Sequence, residues 1–256
     1  MKDPFNLKGK TAIVTGGNGG IGKGIARGLA SAGCQIVVAG RDEEKTSRTV
    51  QEIREEFGIR ALGIQADVAQ EEEIRLLVKQ TLESFGRIDI MVNNAGMNKP
   101  KMPQDYELPE WDEIMGVNLK GAFLCCREVY PAMKTVGGGK IINIGSMLSI
   151  FGLAVSTIYG ASKGGVVQLT RGLAVAWAKD NIQVNAILPG YINTDLTRRL
   201  RQRTPEINEK VISRTPVGRW GEPDDLAGTA IYLASSASNF VTGAALPVDG
   251  GFSVMI

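Results

Sequence analysis

The chain has 256 residues, of which 43% are hydrophobic and 22% charged; its 29 basic and 27 acidic side chains give a formal charge of +2. This composition is typical of a soluble globular protein with one large domain or two small ones. The near balance of charge excludes a general attraction to nucleic acid or to anionic membranes. Because the chain contains no histidine, proton transfer near neutral pH must use another side chain.

The cysteines and the first residues bear on compartment and metal binding. Cys34, Cys125 and Cys126 are an odd number without metal-ligand spacing, and no histidine can share a metal with them. We therefore expect reduced thiols and no metal site. The opening MKDPFNLKGK lacks the apolar core of a signal peptide, and no apolar run approaches the ~18 residues of a membrane helix. A cytoplasmic protein that binds neither membranes nor nucleic acid is expected.

Short apolar runs alternate with longer amphipathic segments. Strands are predicted at 11–16, 34–40, 59–67, 88–96, 139–146, 181–190 and 245–251. Helices are predicted at about 20–32, 42–58, 71–86, 110–136, 157–179 and 224–235. This alternation predicts a parallel sheet with helices on both faces. Because crossover connections are right-handed, we expect a single α/β domain over residues 1–256, with a Rossmann-like doubly wound sheet of about seven strands.

A glycine-rich loop, TGGNGGIGKG (15–24), lies between the first predicted strand and the first predicted helix. Glycines let the backbone approach a pyrophosphate, and the helix N-terminus offers free N–H groups and the positive end of a dipole. Two registers fit: G-x-G-x-x-G through Gly17, Gly19 and Gly22, or T-G-x-x-x-G-x-G through Gly16, Gly20 and Gly22. The position after a first strand favours a dinucleotide site over an ordinary flexible turn.

The end of the second predicted strand indicates which dinucleotide binds. An acid that would hold the ribose 2′-hydroxyl is expected there, but Gly40 occupies the position and Arg41 follows. A guanidinium suits a 2′-phosphate, so we predict that NADP is preferred and that NAD remains possible. Two alternatives stay open: Asp42 turns towards the ribose, or Arg41 is a solvated charge and Asp42 caps the next helix.

Tyr159 and Lys163 stand four residues apart in a predicted helix and therefore share one face. The ordinary pKa of tyrosine, near ~10, is too high for a base at neutral pH, and a nearby ammonium lowers it. Tyr159 could then exchange a proton with an alcohol or a ketone while Ser146, at the end of the fifth strand, polarises the same oxygen. The alternative for such a pair is packing with a solvated tip.

These motifs resemble those of the short-chain dehydrogenase/reductase family across essentially the whole chain. The matching stretches are TGGNGGIG (15–22), ADV (66–68), NNAG (93–96), VNLKG (117–121), GS (145–146), YGASK (159–163), LPGYINT (188–194) and VDGG (248–251). The resemblance implies that Tyr159 is the catalytic acid and base, that Lys163 lowers its pKa and binds the nicotinamide ribose, and that Ser146 orients the substrate oxygen. Asn118 would hold a water that relays protons.

The resemblance also implies the residues that bind the cofactor and the substrate. The predicted cofactor contacts are Gly16, Asn18, Gly20, Ile21, Gly22, Arg41, Asp67, Val68, Asn94, Ala95, Gly96, Tyr159, Lys163, Pro189, Gly190, Ile192 and Thr194. The predicted substrate contacts are Ser146, Tyr159, Asn98 and Tyr191. Family members are usually homotetramers whose interface includes helices near 110–135 and 157–179, so a homotetramer with Cys125 and Cys126 buried near that contact is expected.

Residues 191–220 would form a lid over the substrate. They carry seven basic side chains and three acidic ones, while the whole chain is only +2. A basic lid suits a carboxylate, although a solvated helix face is the alternative. The stretches FNLKGKTAIVTGG and GMNKP, with Asn98 and Lys99, are similar to the gluconate 5-dehydrogenase and 2-deoxygluconate 3-dehydrogenase branch. We therefore expect a secondary alcohol or ketone of a sugar acid or similar polyhydroxy compound as substrate.

Two other functions fit the same motifs. A 3-oxoacyl-thioester reductase would share the catalytic residues and NADP, and its acidic carrier protein could dock on the basic lid. A non-catalytic NADP-binding regulator would need only the phosphate loop, and the intact set of Ser146, Tyr159 and Lys163 argues against it.

Overall fold

Seven strands form one parallel sheet in the computed structural model, which describes residues 3–203 and 206–255. The strands are β1 (Thr11–Thr15), β2 (Gln35–Gly40), β3 (Ala61–Gln65), β4 (Ile90–Asn93), β5 (Gly139–Ile144), β6 (Ile182–Pro189) and β7 (Ala245–Val248). Their order is β3-β2-β1-β4-β5-β6-β7, which confirms the predicted doubly wound sheet. The order reverses between β1 and β4, and ligands of such sheets bind outside the strand ends at this point.

The connections between the strands are helical. The helices are α1 (Gly20–Ser31), α2 (Glu43–Phe57), α3 (Glu71–Phe85), α4 (Leu108–Met115), α5 (Gly121–Thr135), α6 (Thr157–Trp177), α7 (Asp195–Arg203), α8 (Glu206–Arg214) and α9 (Ala227–Ala234). The predicted helix at 110–136 is thus α4 and α5, joined by a π-helical turn over Gly116–Lys120. The predicted lid contains two helices, α7 and α8, that the sequence pattern did not separate.

Both faces of the sheet are covered by apolar side chains. Along β1, Ala12 and Val14 belong to one buried cluster with α1 and α9, while Ile13 belongs to another with α3 and α5. Successive residues of a strand point to opposite faces, so a strand buried on both sides is apolar throughout. This two-sided core fixes the strand ends at which the loops of the site begin.

The three cysteines are free and buried. Burial raises the pKa of each thiol, to about 12 for Cys126, so they pack as small apolar groups rather than act as nucleophiles. Within residues 3–203 and 206–255, His, Cys, Asp and Glu form no group of three that could hold a metal. Among the same residues, every helix is too short or too polar to cross a membrane.

Candidate active site

The phosphate loop connects β1 to the first turn of α1. Gly16 and Gly20 have φ of +62° and +49°, the left-handed region that glycine adopts without strain. A β-carbon on Gly22 would collide with the carbonyl oxygen of Gly16 and with Asn94 Nδ2. Asn94 Nδ2 in turn donates to the carbonyl oxygens of Thr15 (3.0 Å) and Gly16 (3.2 Å). The geometry therefore favours the register through Gly16, Gly20 and Gly22.

An elongated groove crosses the carboxyl ends of the strands. A cavity of about 420 Å³ is lined by these predicted residues: Gly16, Asn18, Gly20, Ile21, Asn94, Ala95, Gly96, Ser146, Tyr159, Lys163, Pro189, Gly190, Ile192 and Thr194. A smaller cavity of about 160 Å³ shares Gly16, Asn18, Ala95 and Gly96 with it and adds Arg41, Asp67 and Val68. The two cavities together are lined by the predicted residues for both ends of a dinucleotide, while Gly22 packs beneath the loop.

The end of β2 packs against the side chain of Asn18. A β-carbon on Gly40 would collide with Asn18 Nδ2, which donates to Thr46 Oγ1 at 2.9 Å. The side chain of Asn18 thus crosses the place that a larger residue 40 would need. Asp42 is the N-cap of α2, since its carboxylate accepts from Lys45 N at 2.9 Å. Of the alternatives for Asp42, the structure shows the cap.

Lys45 is a groove residue that the sequence pattern did not reveal. Its Nζ lies 3.4 Å from Asp195 Oδ2 and would lie 2.9 Å from a β-carbon on Gly19. Lys45 and Asp195 both line the larger cavity, so this pair links the cofactor side of the groove to the first residue of α7. Lys45 and Asp195 are 150 positions apart in sequence, so no short sequence motif could have predicted their contact.

Helix α6 places Tyr159 and Lys163 on the groove wall, as their spacing predicted. Lys163 is only 3% exposed, its Nζ donates to the carbonyl oxygen of Ile144 at 2.7 Å, and it lies 5.7 Å from the centre of the Tyr159 ring. An ammonium has three N–H donors. Two therefore remain for hydroxyl groups of a bound ribose.

Burial decides the proton affinities of this pair. It lowers the pKa of Lys163 to about 8, because an ammonium loses its hydration there. Burial also raises the pKa of Tyr159, and hydrogen bonding with the Ser146 hydroxyl partly opposes that rise. Burial is the largest effect on the Tyr159 pKa, and the lowering of that pKa by Lys163 stays a prediction.

The loop after β5 holds Ser146 through a second serine. Ser146 Oγ accepts from Leu148 N at 3.1 Å, and Ser146 N donates to Ser149 Oγ at 3.2 Å. Ser149 Oγ donates to the carbonyl oxygen of Lys163 at 2.8 Å. Ser149, which the motifs did not single out, therefore ties the Ser146 loop to α6. The three-residue spacing of the two serines was its only sequence signal.

Asn118 lies in the π-helical turn and is buried. Its Oδ1 accepts from Met97 N at 2.8 Å, and its Nδ2 donates to Met97 O at 2.9 Å and to Ser162 Oγ at 3.0 Å. A β-carbon on Gly96 would lie 3.3 Å from Asn118 Oδ1 and 3.4 Å from Lys163 Nζ. Both amide hydrogens of Asn118 are thus donated, and one lone pair on its Oδ1 remains to accept a hydrogen bond from a water. The relay of protons through that water stays a prediction.

Asn98 and Tyr191, the other predicted substrate residues, do not line the two groove cavities. Asn98 Nδ2 donates to Ser156 Oγ at 3.0 Å, just before α6, and its buried Oδ1 has no partner among the described residues. The neighbouring Lys99 pairs with Glu113. Tyr191 lines a separate cavity of about 240 Å³ beyond Gly190. Their contact with substrate stays a prediction.

Comparison with known proteins gives one consistent group. The family described as enoyl-(acyl carrier protein) reductase matches residues 16–253. The chain is 43% identical over 252 residues to 2-dehydro-3-deoxy-D-gluconate 5-dehydrogenase of Escherichia coli strain K12, covering 97% of each chain. It is 39% identical over 256 residues to 5-keto-D-gluconate 5-reductase of the same strain, covering all of both.

Solved structures give the same result as the sequence comparison. The crystal structure of a gluconate 5-dehydrogenase from Burkholderia cenocepacia J2315, in complex with NADP and tartrate, has a TM-score of 0.94 and is 41% identical, covering 99% of each chain. Sequence motifs, sheet order and these similarities agree over nearly the full length. The chain belongs to the short-chain dehydrogenase/reductase family.

Proposed function

We propose that this protein is an NADP-dependent oxidoreductase that interconverts a secondary alcohol and a ketone on a sugar acid. The observation that carries the proposal is the convergence of Ser146, Tyr159 and Lys163 on one cavity that the phosphate loop also lines. Proton handling and dinucleotide binding are thereby joined in a single groove, as dehydrogenation requires.

The chain's own residues fit NADP. The glycine loop and the N-terminus of α1 would hold the pyrophosphate, and Asp67 and Val68 would flank the adenine. Arg41 and Lys45, on either side of the loop, would hold the 2′-phosphate, since both are cations at the groove rim. When bound, the nicotinamide supplies or accepts the hydride.

Tyr159 would exchange the proton of the substrate hydroxyl, and Ser146 would hold the same oxygen. Because the pKa of Lys163 is about 8, its side chain is mostly an ammonium at pH 7. That charge favours the phenolate once the ribose and substrate have displaced water from the groove. Asn118 Oδ1, beside Lys163 Nζ behind Gly96, would pass the proton outwards through a water.

A sugar acid is supported by two observations. The relatives named above act on gluconate derivatives by their names, and the Burkholderia protein binds tartrate, a hydroxylated dicarboxylate. The lid at 191–220 carries the positive surplus, and its Thr194, Asp195 and Thr197 line the groove. The lid residues in this lining are not basic, so a carboxylate would meet the positive surplus only at lid residues outside it.

We also propose a cytoplasmic homotetramer. Three large apolar side chains on the expected interface helices are exposed: Trp111 on α4 by 44%, Phe123 on α5 by 41% and Val175 on α6 by 84%. Contact between copies would remove this surface from water. Light scattering on the purified protein tests the assembly, and a monomer at micromolar concentration would refute it.

The function is tested with a substrate panel read by the absorbance of reduced nicotinamide. The panel contains gluconate, 5-ketogluconate, 2-dehydro-3-deoxygluconate, neutral polyols and acetoacetyl thioesters, each with NADP and NAD in the appropriate redox state. We expect turnover of a sugar acid, with NADP preferred. Turnover of thioesters alone would establish the acyl-reductase alternative, and tight NADP binding without any turnover would establish the regulator.

A further inference from the structure

The two ends of the lid lie side by side and form a neck. Gly221 N donates to the carbonyl oxygen of Tyr191 at 2.9 Å, and Asn193 N donates to that of Gly221 at 2.7 Å. Ile192 and Gly221 thereby form a parallel β-bridge. The lid helices α7 and α8 lie between these paired residues in the chain. Backbone pairing therefore fixes where the lid begins and ends, and side-chain contacts must fix the direction of its two helices.

Trp220, directly before Gly221, is the residue at which such contacts meet. Its side chain is buried, with 6% of the residue exposed. Its indole Nε1 donates to Asn208 Oδ1 of α8 at 3.0 Å. The guanidinium carbon of Arg201, in α7, lies 4.5 Å from the centre of the Trp220 ring, a distance at which a cation and an aromatic face attract each other. One side chain at the neck thus contacts both lid helices.

Two further rings join Trp220 to the body of the protein. Tyr191 meets Trp220 edge to face, with ring centres 5.5 Å apart, and meets Phe252 in the same way at 5.4 Å. Phe252 is buried in a small apolar cluster that includes Leu188 of β6. The guanidinium carbon of Arg214, the last residue of α8, lies 4.6 Å from the centre of the Phe252 ring. Because edge-to-face pairs at these distances are attractive, the three rings form a continuous anchor between the sheet and the lid.

Helix α7 connects this anchor to the groove. Its first turn lines the larger cavity through Asp195 and Thr197, whereas Trp220 lies outside that lining. Arg201 follows one turn after Thr197 and donates to Asn193 of the neck. The second half of α7 is thus held between the neck and the indole, while the first half forms a wall of the groove. A change at Trp220 would displace this wall without altering any residue in it.

We propose that Trp220 positions the lid: it holds α7 and α8 on the neck and thereby fixes the wall that α7 contributes to the groove. Trp220 is a positioning residue, since it contacts the lid and not the reacting atoms. The inference rests on the proposed function for its kinetic readout, whereas a readout of lid order needs no turnover. The indole N–H that Asn208 accepts is supplied by tryptophan alone among the aromatic hydrocarbon-like side chains, and phenylalanine would keep only the ring.

The test removes the same hydrogen bond from its two ends, with Trp220→Phe, Asn208→Ala and the double variant. Asn208→Ala keeps the indole in place, so it tests the bond even if Trp220→Phe fails to fold. The matched control is Trp177→Phe, because Trp177 also packs on an aromatic ring, that of Tyr130 at 4.8 Å, but belongs to the core cluster with α3 and α5. Lid order is measured by trypsin cleavage after the arginines of α7, located by mass spectrometry on the purified full chain.

Both single variants should be cleaved within α7 about fivefold to tenfold faster than wild type, because loss of a hydrogen bond to a buried partner enlarges the opened population that trypsin attacks. The double variant should be cleaved no faster than either single one, since all three lack one and the same bond. Trp177→Phe should be cleaved in α7 at the wild-type rate, whatever its Tm.

The same single variants should lower kcat/KM for the preferred sugar acid about threefold to tenfold, because a displaced wall misaligns substrate and nicotinamide. The pH at which kcat/KM rises should not move, since Tyr159 and Lys163 are untouched. Trp177→Phe should leave both quantities unchanged. A general loss of stability would lower Tm without this combination of faster cleavage in α7 and a fixed pH profile.

The possible failures are separate. If the wild-type protein turns over no sugar acid, the proposed function fails, and the trypsin comparison still decides whether Trp220 holds the lid. If the single variants are cleaved in α7 at the wild-type rate, or the double variant is cleaved much faster than either, the inference fails. Faster cleavage with an unchanged kcat/KM of an active enzyme would also overturn it, because the lid would then not position the groove wall.

Discussion

The floor of the groove and the lid are built by different physical means. In the floor, formed by residues 15–22 and 93–96 and by α6, glycines touch backbone atoms and Lys163 is buried. In the lid at 191–220, exposed ion pairs such as Arg198–Asp195 stand beside hydrogen bonds of Thr194, Thr197 and Trp220. Exposed pairs contribute only about 0–1 kcal/mol each, whereas in the floor a β-carbon on Gly17, Gly22 or Gly165 would collide with its neighbours. The predicted catalytic residues thus lie where side chains are tightly packed, whereas the exposed pairs of the lid can be replaced at little cost in stability.

The largest effect is expected in the floor, from Tyr159→Phe. Losing the phenol removes the proton exchange and should lower kcat about 10²- to 10⁴-fold, while Kd for NADP, measured by fluorescence, should change little because the ring remains. Leu148→Ala in the adjacent loop serves as a control that leaves the phenol in place. Near-normal turnover by Tyr159→Phe would contradict the assignment.

Ser146→Ala tests how the floor sets the proton affinity of Tyr159. The Ser146 hydroxyl lowers a pKa that burial has raised, so its removal should raise that pKa further. Alcohol oxidation needs the phenolate, so the rising limb of kcat/KM against pH should move to higher pH. The loss should reach about 10²-fold near neutral pH, as for a removed oxyanion donor, and diminish in alkaline solution. An unchanged limb would show that Ser146 does not act on Tyr159.

Lys45 lines the groove and pairs with Asp195 of the lid. Lys45→Ala therefore tests whether a residue between floor and lid contributes to cofactor binding. Loss of one exposed cation should raise the Kd for NADP about fivefold to tenfold and leave the Kd for NAD unchanged, since only NADP carries the 2′-phosphate. Arg48→Ala is the matched control, because Arg48 lies on the same helix and pairs with Glu44. Equal weakening for both cofactors would mean that Lys45 contacts the pyrophosphate or acts only through Asp195.

The smallest effects concern stability. Gly22→Ala forces an atom against Gly16 and Asn94 and should cost about 1–3 kcal/mol in the free energy of unfolding. Gly228→Ala, in α9 with no atom within 4 Å of the new carbon, should instead stabilise by about 0.5–1 kcal/mol. Arg198→Ala in the lid should change stability by less than about 0.5 kcal/mol. Denaturant unfolding measures the free energy of unfolding of all three variants. A Gly22→Ala protein as stable as wild type would contradict the expected difference between floor and lid.

Much of the fold could be predicted because its signals are local. Buried strands and glycine-ended helices are short-range patterns; the 110–136 segment was misdivided, and helices α7 and α8 of the lid were not predicted. There the extra residue of the Gly116–Lys120 turn is associated with Asn118, whose partners Met97 and Ser162 lie far away in sequence. Asn98 contacts Ser156 and Tyr191 contacts Phe252, which the motifs did not predict, because motif spacing places a residue on a loop but does not decide its side-chain direction; their contact with substrate stays a prediction.

The sequence by itself determined the alternation of strands and helices, the glycines that the phosphate loop requires, and the shared helix face of Tyr159 and Lys163, since backbone sterics and helical periodicity act over a few residues. Only the tertiary structure decided that burial governs the pKa of Tyr159, that Lys45 meets Asp195, and that Arg214 and Tyr191 flank Phe252. These are contacts between segments distant in the chain, and they depend on how whole elements pack rather than on any pattern within one of them.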